Sequence, residues 1–230
     1  MNNFLSNSVF FGVLLCVASY QVGVFLRQKT KMAVFNPLLV SIIIVISVLV
    51  LFHIKFDDFY AGSKYLSYLL TPATVALAIP LYSKLNLLKS NFKAIFSGLI
   101  AGVFTSLISI LVMSILFGLS HEHYVSMLPK SITTAIGIGI SEELGGIPTI
   151  TTAVIIVTGV FGNVIADIVY KLVNIKDPIA KGIGLGSSAH AIGTSKALEM
   201  GETEGAMSSL SIAVAGIITV VFASFFANIL

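Results

Sequence analysis

The 230-residue chain is 57% hydrophobic and 10% charged, with 13 Lys or Arg against 10 Asp or Glu, a formal net charge of +3. Soluble domains carry about 25% charged residues, so this composition excludes a water-soluble globule and implies an integral membrane protein. The small positive excess is scattered over loops rather than gathered in a basic run, which gives no footing for nucleic-acid binding.

Five apolar runs are long enough to cross a hydrocarbon layer about 30 Å thick: residues 4–26, 34–53, 94–118, 147–170 and 206–228. Lipid offers no partner to backbone N–H and C=O groups, and the alternating pattern of barrel strands is absent, so the fold class is all-α. The first run has no basic n-region and no small-residue cleavage site, and is expected to remain as a helix. Its Cys16 is the only cysteine, so no intramolecular disulfide can form. No soluble domain is left over; the chain reads as a single membrane domain, 1–230.

Between the long runs lie three shorter, less apolar segments, at 66–83, 127–146 and 182–202, each containing small residues, hydroxyls, Pro or Gly. Residues Ser131 to Gly145 align without gaps on Ser187 to Gly201: Ala135-Ile136-Gly137 matches Ala191-Ile192-Gly193, and Glu143 and Gly145 match Glu199 and Gly201. A weaker echo relates Pro72 to Pro129 and Gly102-Val103-Phe104 to Gly159-Val160-Phe161.

Basic loops favour the cytoplasm. Placing Arg27 to Lys31, Lys84 to Lys93 and Lys171 to Lys181 inside puts both termini outside, together with the loops that hold Asp57, Asp58 and Glu122. Segment 66–83 must then cross once. Between residues 120 and 175 the chain must make an odd number of crossings, and the run 147–170 supplies one. Segment 127–146 therefore dips in from outside and returns, and 182–202 does the same from the cytoplasm. The expected architecture is about six full spans plus two inverted re-entrant hairpins, with eight full spans as the alternative. Inverted hairpin pairs place transporter sites near the bilayer midplane.

Non-helical backbone at membrane depth is tolerated where it is buried in protein or lines a cavity. Pro129 suits the first position of a short helix, where its missing amide costs nothing. Free amides at such a terminus, with the helix dipole, favour an anion. The expected binding groups are Ser131, Thr133, Thr134 and Gly137 from the first hairpin, and Ser187, Ser188, His190, Gly193 and Thr194 from the second. His190, Lys196, Glu143 and Glu199 are candidates for carrying a coupling proton or charge. Plainer readings stand beside these. Small residues also serve helix packing, and His190 can simply bond a neighbouring helix. Glu142, Glu143, Glu202 and Glu204 can be solvated loop charges, and Lys196 can snorkel to the interface. Asn163 and Asp167 share a helix face, and Asp167 can pair with Lys171 at i,i+4.

Enzyme and metal signatures fail. His121-Glu122-His123 spaces its histidines by two, not the four of a zinc helix, so no metal is implied. Gly182-Ile183-Gly184-Leu185-Gly186 follows no strand and matches no nucleotide loop. No Gly-x-Ser-x-Gly elbow is present. No cofactor is expected, and no enzyme.

Five blocks carry a family resemblance: Asn36-Pro37-Leu38, Pro80-Leu81-Tyr82, Leu128-Pro129-Lys130-Ser131-Ile132-Thr133-Thr134, Gly145-Gly146, and Gly186-Ser187-Ser188-Ala189-His190-Ala191-Ile192-Gly193-Thr194. In these the chain resembles the bacterial LrgB/CidB (YohK-like) family of multi-pass proteins of the cytoplasmic membrane, the CidB/YohK branch being the nearer. The resemblance implies a small LrgA/CidA-type membrane partner and one of two activities. One is a holin-like modulation of murein hydrolase activity and autolysis. The other is transport of small monocarboxylates such as pyruvate, in line with a plastid glycolate/glycerate translocator relative. The hydroxyl-lined hairpins favour transport of a small carboxylate, and the small size of the chain implies a homo-oligomer or an assembly with that partner.

Overall fold

A computed structural model describes residues 10–30, 35–69, 72, 75, 76 and 78–230. The described residues are helical with intervening turns, and no strand occurs among them. They form two compact units, 1–76 and 77–230.

The first unit holds α1 (Phe11–Thr30), α2 (Pro37–Leu51) and α3 (Phe56–Ser67). Asn36 starts α2: its Oδ1 accepts from the Leu38 and Leu39 amides at 2.9 and 3.2 Å, and Pro37 occupies the position where no amide is needed. Gly23 of α1 lets the helix run against the Pro37 backbone, where a Cβ would sit 2.7 Å from Pro37 Cα.

The second unit holds α4 (Ala78–Ser83), α5 (Leu85–Ser90), α6 (Phe92–Phe117), α7 (His121–Met127), α8 (Thr134–Glu143), α9 (Pro148–Leu172), α10 (Pro178–Met200) and α11 (Glu202–Ala227). Four of the five apolar runs become helices long enough to cross a membrane: α1, α6, α9 and α11, of 20, 26, 25 and 26 residues. The fifth, α2, is an apolar helix of 15 residues, which rises about 22 Å at 1.5 Å per residue, short of the span expected for 34–53. The crossing expected of segment 66–83 includes residues 70, 71, 73, 74 and 77, which lie outside those described; α3 ends at Ser67 and α4 starts at Ala78.

Both expected hairpins are present as chain reversals in the second unit. In α10 the helix breaks at His190, whose φ of 43° and ψ of −136° lie outside the helical region. The arms on either side fold back on each other: a Cβ on Gly193 would lie 2.6 Å from the carbonyl oxygen of Leu185. In a straight helix two residues eight apart are about 12 Å distant. Leu185 and Ala197, one from each arm, pack together on Ala166 of α9, and Lys181 and Met200 at the two ends of α10 meet at the same place, near Tyr170. In the first hairpin, α7 descends, residues 128–133 turn, and α8 returns, with Pro129 facing Gly137.

Three long helices scaffold both reversals. Along α6, Ile95 and Leu99 cluster with Ala206 and Met207 of α11, and Ile183 of α10 joins them. Farther along, Val103 and Leu107 cluster with Tyr124, Val125 and Leu128 of the first hairpin and with Ala215 and Phe226 of α11. One end of α6 and α11 thus holds the second hairpin and the other end the first. Burial of these side chains matters because helices in lipid gain nothing from hydrophobicity alone; close packing and interhelical hydrogen bonds hold them together.

Candidate functional site at the hairpin tips

The mouth of the first hairpin is fastened to the start of α9. The Ile147 amide donates to Ser126 Oγ at 2.7 Å, and Thr151 Oγ1 donates to the Ser126 carbonyl at 2.9 Å and lies 2.7 Å from Ser141 Oγ. All three hydroxyl residues are buried. The mouth of the second hairpin is fastened to the other end of α9, where the Tyr170 hydroxyl donates to the Lys181 carbonyl at 2.7 Å and Lys196 Nζ meets Asp167 Oδ2 at 2.6 Å. The two hairpins therefore open at opposite ends of one long helix, and their arms, of 7 to 12 residues, rise about 10–18 Å.

Their tips meet at the middle of α9. Ile155 is fully buried and touches both: its Cδ1 sits where a Cβ on Gly137 would fall, and its carbonyl oxygen accepts from His190 Nε2 at 2.9 Å. That bond fixes the ring, since a carbonyl only accepts and Nε2 must carry the proton. His190 is 3% exposed, and its Nδ1 has no partner among the described residues. The left-handed backbone at His190 costs on the order of 1–3 kcal/mol for a non-glycine residue. The Ile155 bond and the Thr194 hydroxyl, which donates to the His190 carbonyl at 3.0 Å, hold it there.

Three glycines make the room. Gly102, Gly159 and Gly216 lie at intervals of 57 residues on α6, α9 and α11. Added Cβ atoms would meet Ser187 Oγ at 3.0 Å, His190 Cε1 at 2.7 Å and Ile136 Cδ1 at 3.3 Å respectively. Each scaffold helix thus lacks a side chain where a hairpin comes closest.

The first tip contributes Ser131, buried, which shares hydrogen bonds with Ser106 of α6 at 3.1 Å and Lys130 Nζ at 3.0 Å. Thr133 and Thr134 are half-buried at the start of α8, and no side chain caps the free amides there. At the second tip Thr194 is fully buried and 2.7 Å from Ser208 of α11, while Ser187 and Ser188 turn their hydroxyls onto the carbonyls of Ile183 and Gly184 one turn earlier. Ser188 remains exposed, and Gly193 is buried against the opposite arm. Asn163 donates from Nδ2 to the Ile192 carbonyl at 2.8 Å, tying the broken helix to α9.

The charged candidates distribute differently. Lys196 is neutralised by Asp167, twelve residues along α9 from Ile155, or about 18 Å; it anchors the hairpin base rather than facing the tip. Asp167 takes Lys196 and not Lys171 as its salt-bridge partner. Glu143 and Glu199 end the returning arms and are exposed, away from the tips. The cation at the tips is Lys130, which sequence reasoning passed over. It is half-buried, its ammonium donates to Ser131 Oγ, and it follows Pro129, which faces Gly137 at the tip. No carboxylate pairs with it among the described residues. Its place directly after Pro129, at the turn of the first hairpin, was the available signal.

An all-helical polytopic membrane protein with two opposed, hydroxyl-bearing helical hairpins meeting beside a buried histidine is the class these features define. Residues 16–229 match the model of the LrgB-like family, and the chain belongs to that family, as its sequence blocks led us to expect. Similar proteins include the antiholin-like protein LrgB of Bacillus cereus (strain B4264) and that of Bacillus anthracis (strain A0248). Each is 37% identical over 213 residues, covering 92% of this chain and 93% of the relative. No solved structure matches the chain significantly.

Proposed function

We propose that this chain carries a small monocarboxylate, of the size of pyruvate or glycolate, across the bacterial cytoplasmic membrane, binding it between the two hairpin tips. The observation that carries this reading is Lys130: a half-buried ammonium with no carboxylate partner among the described residues, placed where the tips converge. A desolvated, unpaired charge is costly, and a substrate carboxylate offsets that cost when it binds. The uncapped amides opening α8 supply further donors to an anionic ligand in the same region, and His190 Nδ1, an acceptor in the tautomer that the Ile155 carbonyl fixes, takes a ligand hydroxyl such as that of glycolate. Inverted hairpins fastened at opposite ends of α9 suit alternate exposure of such a site to the two sides. We include an LrgA/CidA-type small membrane protein as partner and a homo-oligomeric assembly in this reading. It involves no catalysis and no cofactor.

The test is uptake by liposomes containing the chain and its partner. Labelled pyruvate or glycolate accumulates saturably, unrelated sugars and dyes do not, and His190→Ala reduces uptake at unchanged folded amount. A second reading, modulation of a holin-like pore, draws on the name of the Bacillus relatives. It predicts solute leakage or its suppression regardless of carboxylate chemistry, so the same liposomes loaded with dyes of graded size distinguish the two.

A further inference from the structure

The end of α9 builds a second polar hollow, away from the tips. Asn174, in the left-handed region with φ 55°, stops the helix, and the Ile175 amide turns back onto the Tyr170 carbonyl at 2.9 Å. Pro178 then starts α10, capped by Asp177, whose Oδ1 accepts from the Ala180 amide at 2.8 Å. The turn borders a half-open hollow of about 290 Å³ whose lining includes Asp167, Tyr170, Lys171, Asn174, Lys176 and Lys181. Three elements contribute the lysines: the last turn of α9, the loop, and the start of α10.

The charges there do not balance. Asp167 is committed to Lys196, and Lys171, Lys176 and Lys181 have no carboxylate partner among the described residues. The helix dipole accounts for Lys171 at a C-terminus. It opposes Lys181, which sits just inside the N-terminus of α10, where an anion is favoured. Next in sequence to the lining residues Asp167 and Lys171, Ile168 and Leu172 are 53% and 80% exposed, apolar surface of the kind that meets hydrocarbon in a membrane-spanning helix. Basic pockets between helices on the cytoplasmic side suit phosphate-bearing headgroups.

We propose that this hollow binds the phosphate of an anionic phospholipid, with Lys171, Lys176 and Lys181 around the phosphate and the acyl chains lying along Ile168 and Leu172. The site is independent of the carboxylate reading and holds or fails without it. The experiment is native mass spectrometry of the detergent-purified full chain titrated with phosphatidylglycerol or phosphatidylcholine, with inorganic phosphate as a competitor. Phosphatidylglycerol is expected to be retained preferentially. Each neutralised lysine lowers its affinity roughly fivefold, and the combined K171Q, K176Q and K181Q variant lowers it about a hundredfold. The variant K29Q, K89Q and K93Q, with the same charge removed elsewhere, loses no more than a few-fold. If the pocket triple variant does not fold, K181Q alone is read, with its fivefold loss. The proposal is overturned if both triple variants lose affinity equally, if phosphatidylcholine binds as well, or if millimolar inorganic phosphate binds and displaces the lipid entirely.

Discussion

Replacing Gly159 by Ala puts one methyl group into the contact on which the tip arrangement depends. The added Cβ falls 2.7 Å from His190 Cε1, 2.8 Å from Nε2 and 2.9 Å from Ile192 Cδ1. Carbon pairs settle at about 3.5–4.0 Å, so the second tip must retreat by roughly 0.8 Å or more. That retreat stretches the 2.9 Å bond from His190 Nε2 to the Ile155 carbonyl. Overpacking in a close-packed interior costs about 1–3 kcal/mol, and a strained or broken buried hydrogen bond adds on the order of 1 kcal/mol. Together they predict a loss of about 2–4 kcal/mol. The control is Gly139→Ala: an exposed helical glycine with nothing within 4 Å of the added Cβ. It is expected to be neutral or to gain up to about 1 kcal/mol from helix propensity. Unfolding in mixed micelles by titration with a denaturing detergent, followed by circular dichroism, reads both. Equal stability of wild type and the Gly159 variant, or an equal loss in both variants, refutes the packing of His190 against α9.

Three further perturbations separate the roles assigned here. Lys130→Gln keeps a donor for Ser131 but removes the charge; loss of one charge-assisted contact, about 1.5–3 kcal/mol, raises the KM for carboxylate uptake by roughly 10- to 150-fold, measured in liposomes at matched protein density. Lys196→Met leaves Asp167 unpaired beside the second hairpin and is expected to cost about 1–2 kcal/mol, because the Asp167 side chain is 40% exposed and solvent screens part of the effect; adding Asp167→Asn recovers most of the loss in the same unfolding assay. Thr151→Val removes the hydroxyl joining Ser126 to Ser141 and costs about 1–3 kcal/mol, with faster amide exchange at residues 121–146 than at 182–200.

The two hairpins could be found in the sequence because their physics is written in residue types. Proline, glycine and hydroxyls at 127–146 and 182–202 interrupt apolar runs, and a buried reversal needs such residues. The Gly102 to Gly159 echo, weak as a pattern, marks the level at which the hairpins approach the scaffold, and Gly216 completes it. Other parts were not legible. The partner of His190 is a backbone carbonyl on an isoleucine, and no side-chain pattern announces a carbonyl. The break falls on His190 itself, with φ 43° and ψ −136°, rather than on nearby Gly186 or Gly193. Lys196 and Lys130 are both lysines in hairpins; only the register of α10 against α9 reveals that Asp167 waits opposite the first.

Solid-state NMR on protein carrying ¹⁵N-lysine side chains, with pyruvate labelled by ¹³C at the carboxylate, tests most directly whether the meeting point of the tips holds the substrate. A dipolar contact between the carboxylate carbon and a lysine Nζ, within about the 4 Å at which opposite charges pair strongly, is predicted in the wild type. It persists in Lys196→Gln and vanishes in Lys130→Gln. Saturable pyruvate binding with no lysine contact, or a contact that survives Lys130→Gln, contradicts the account.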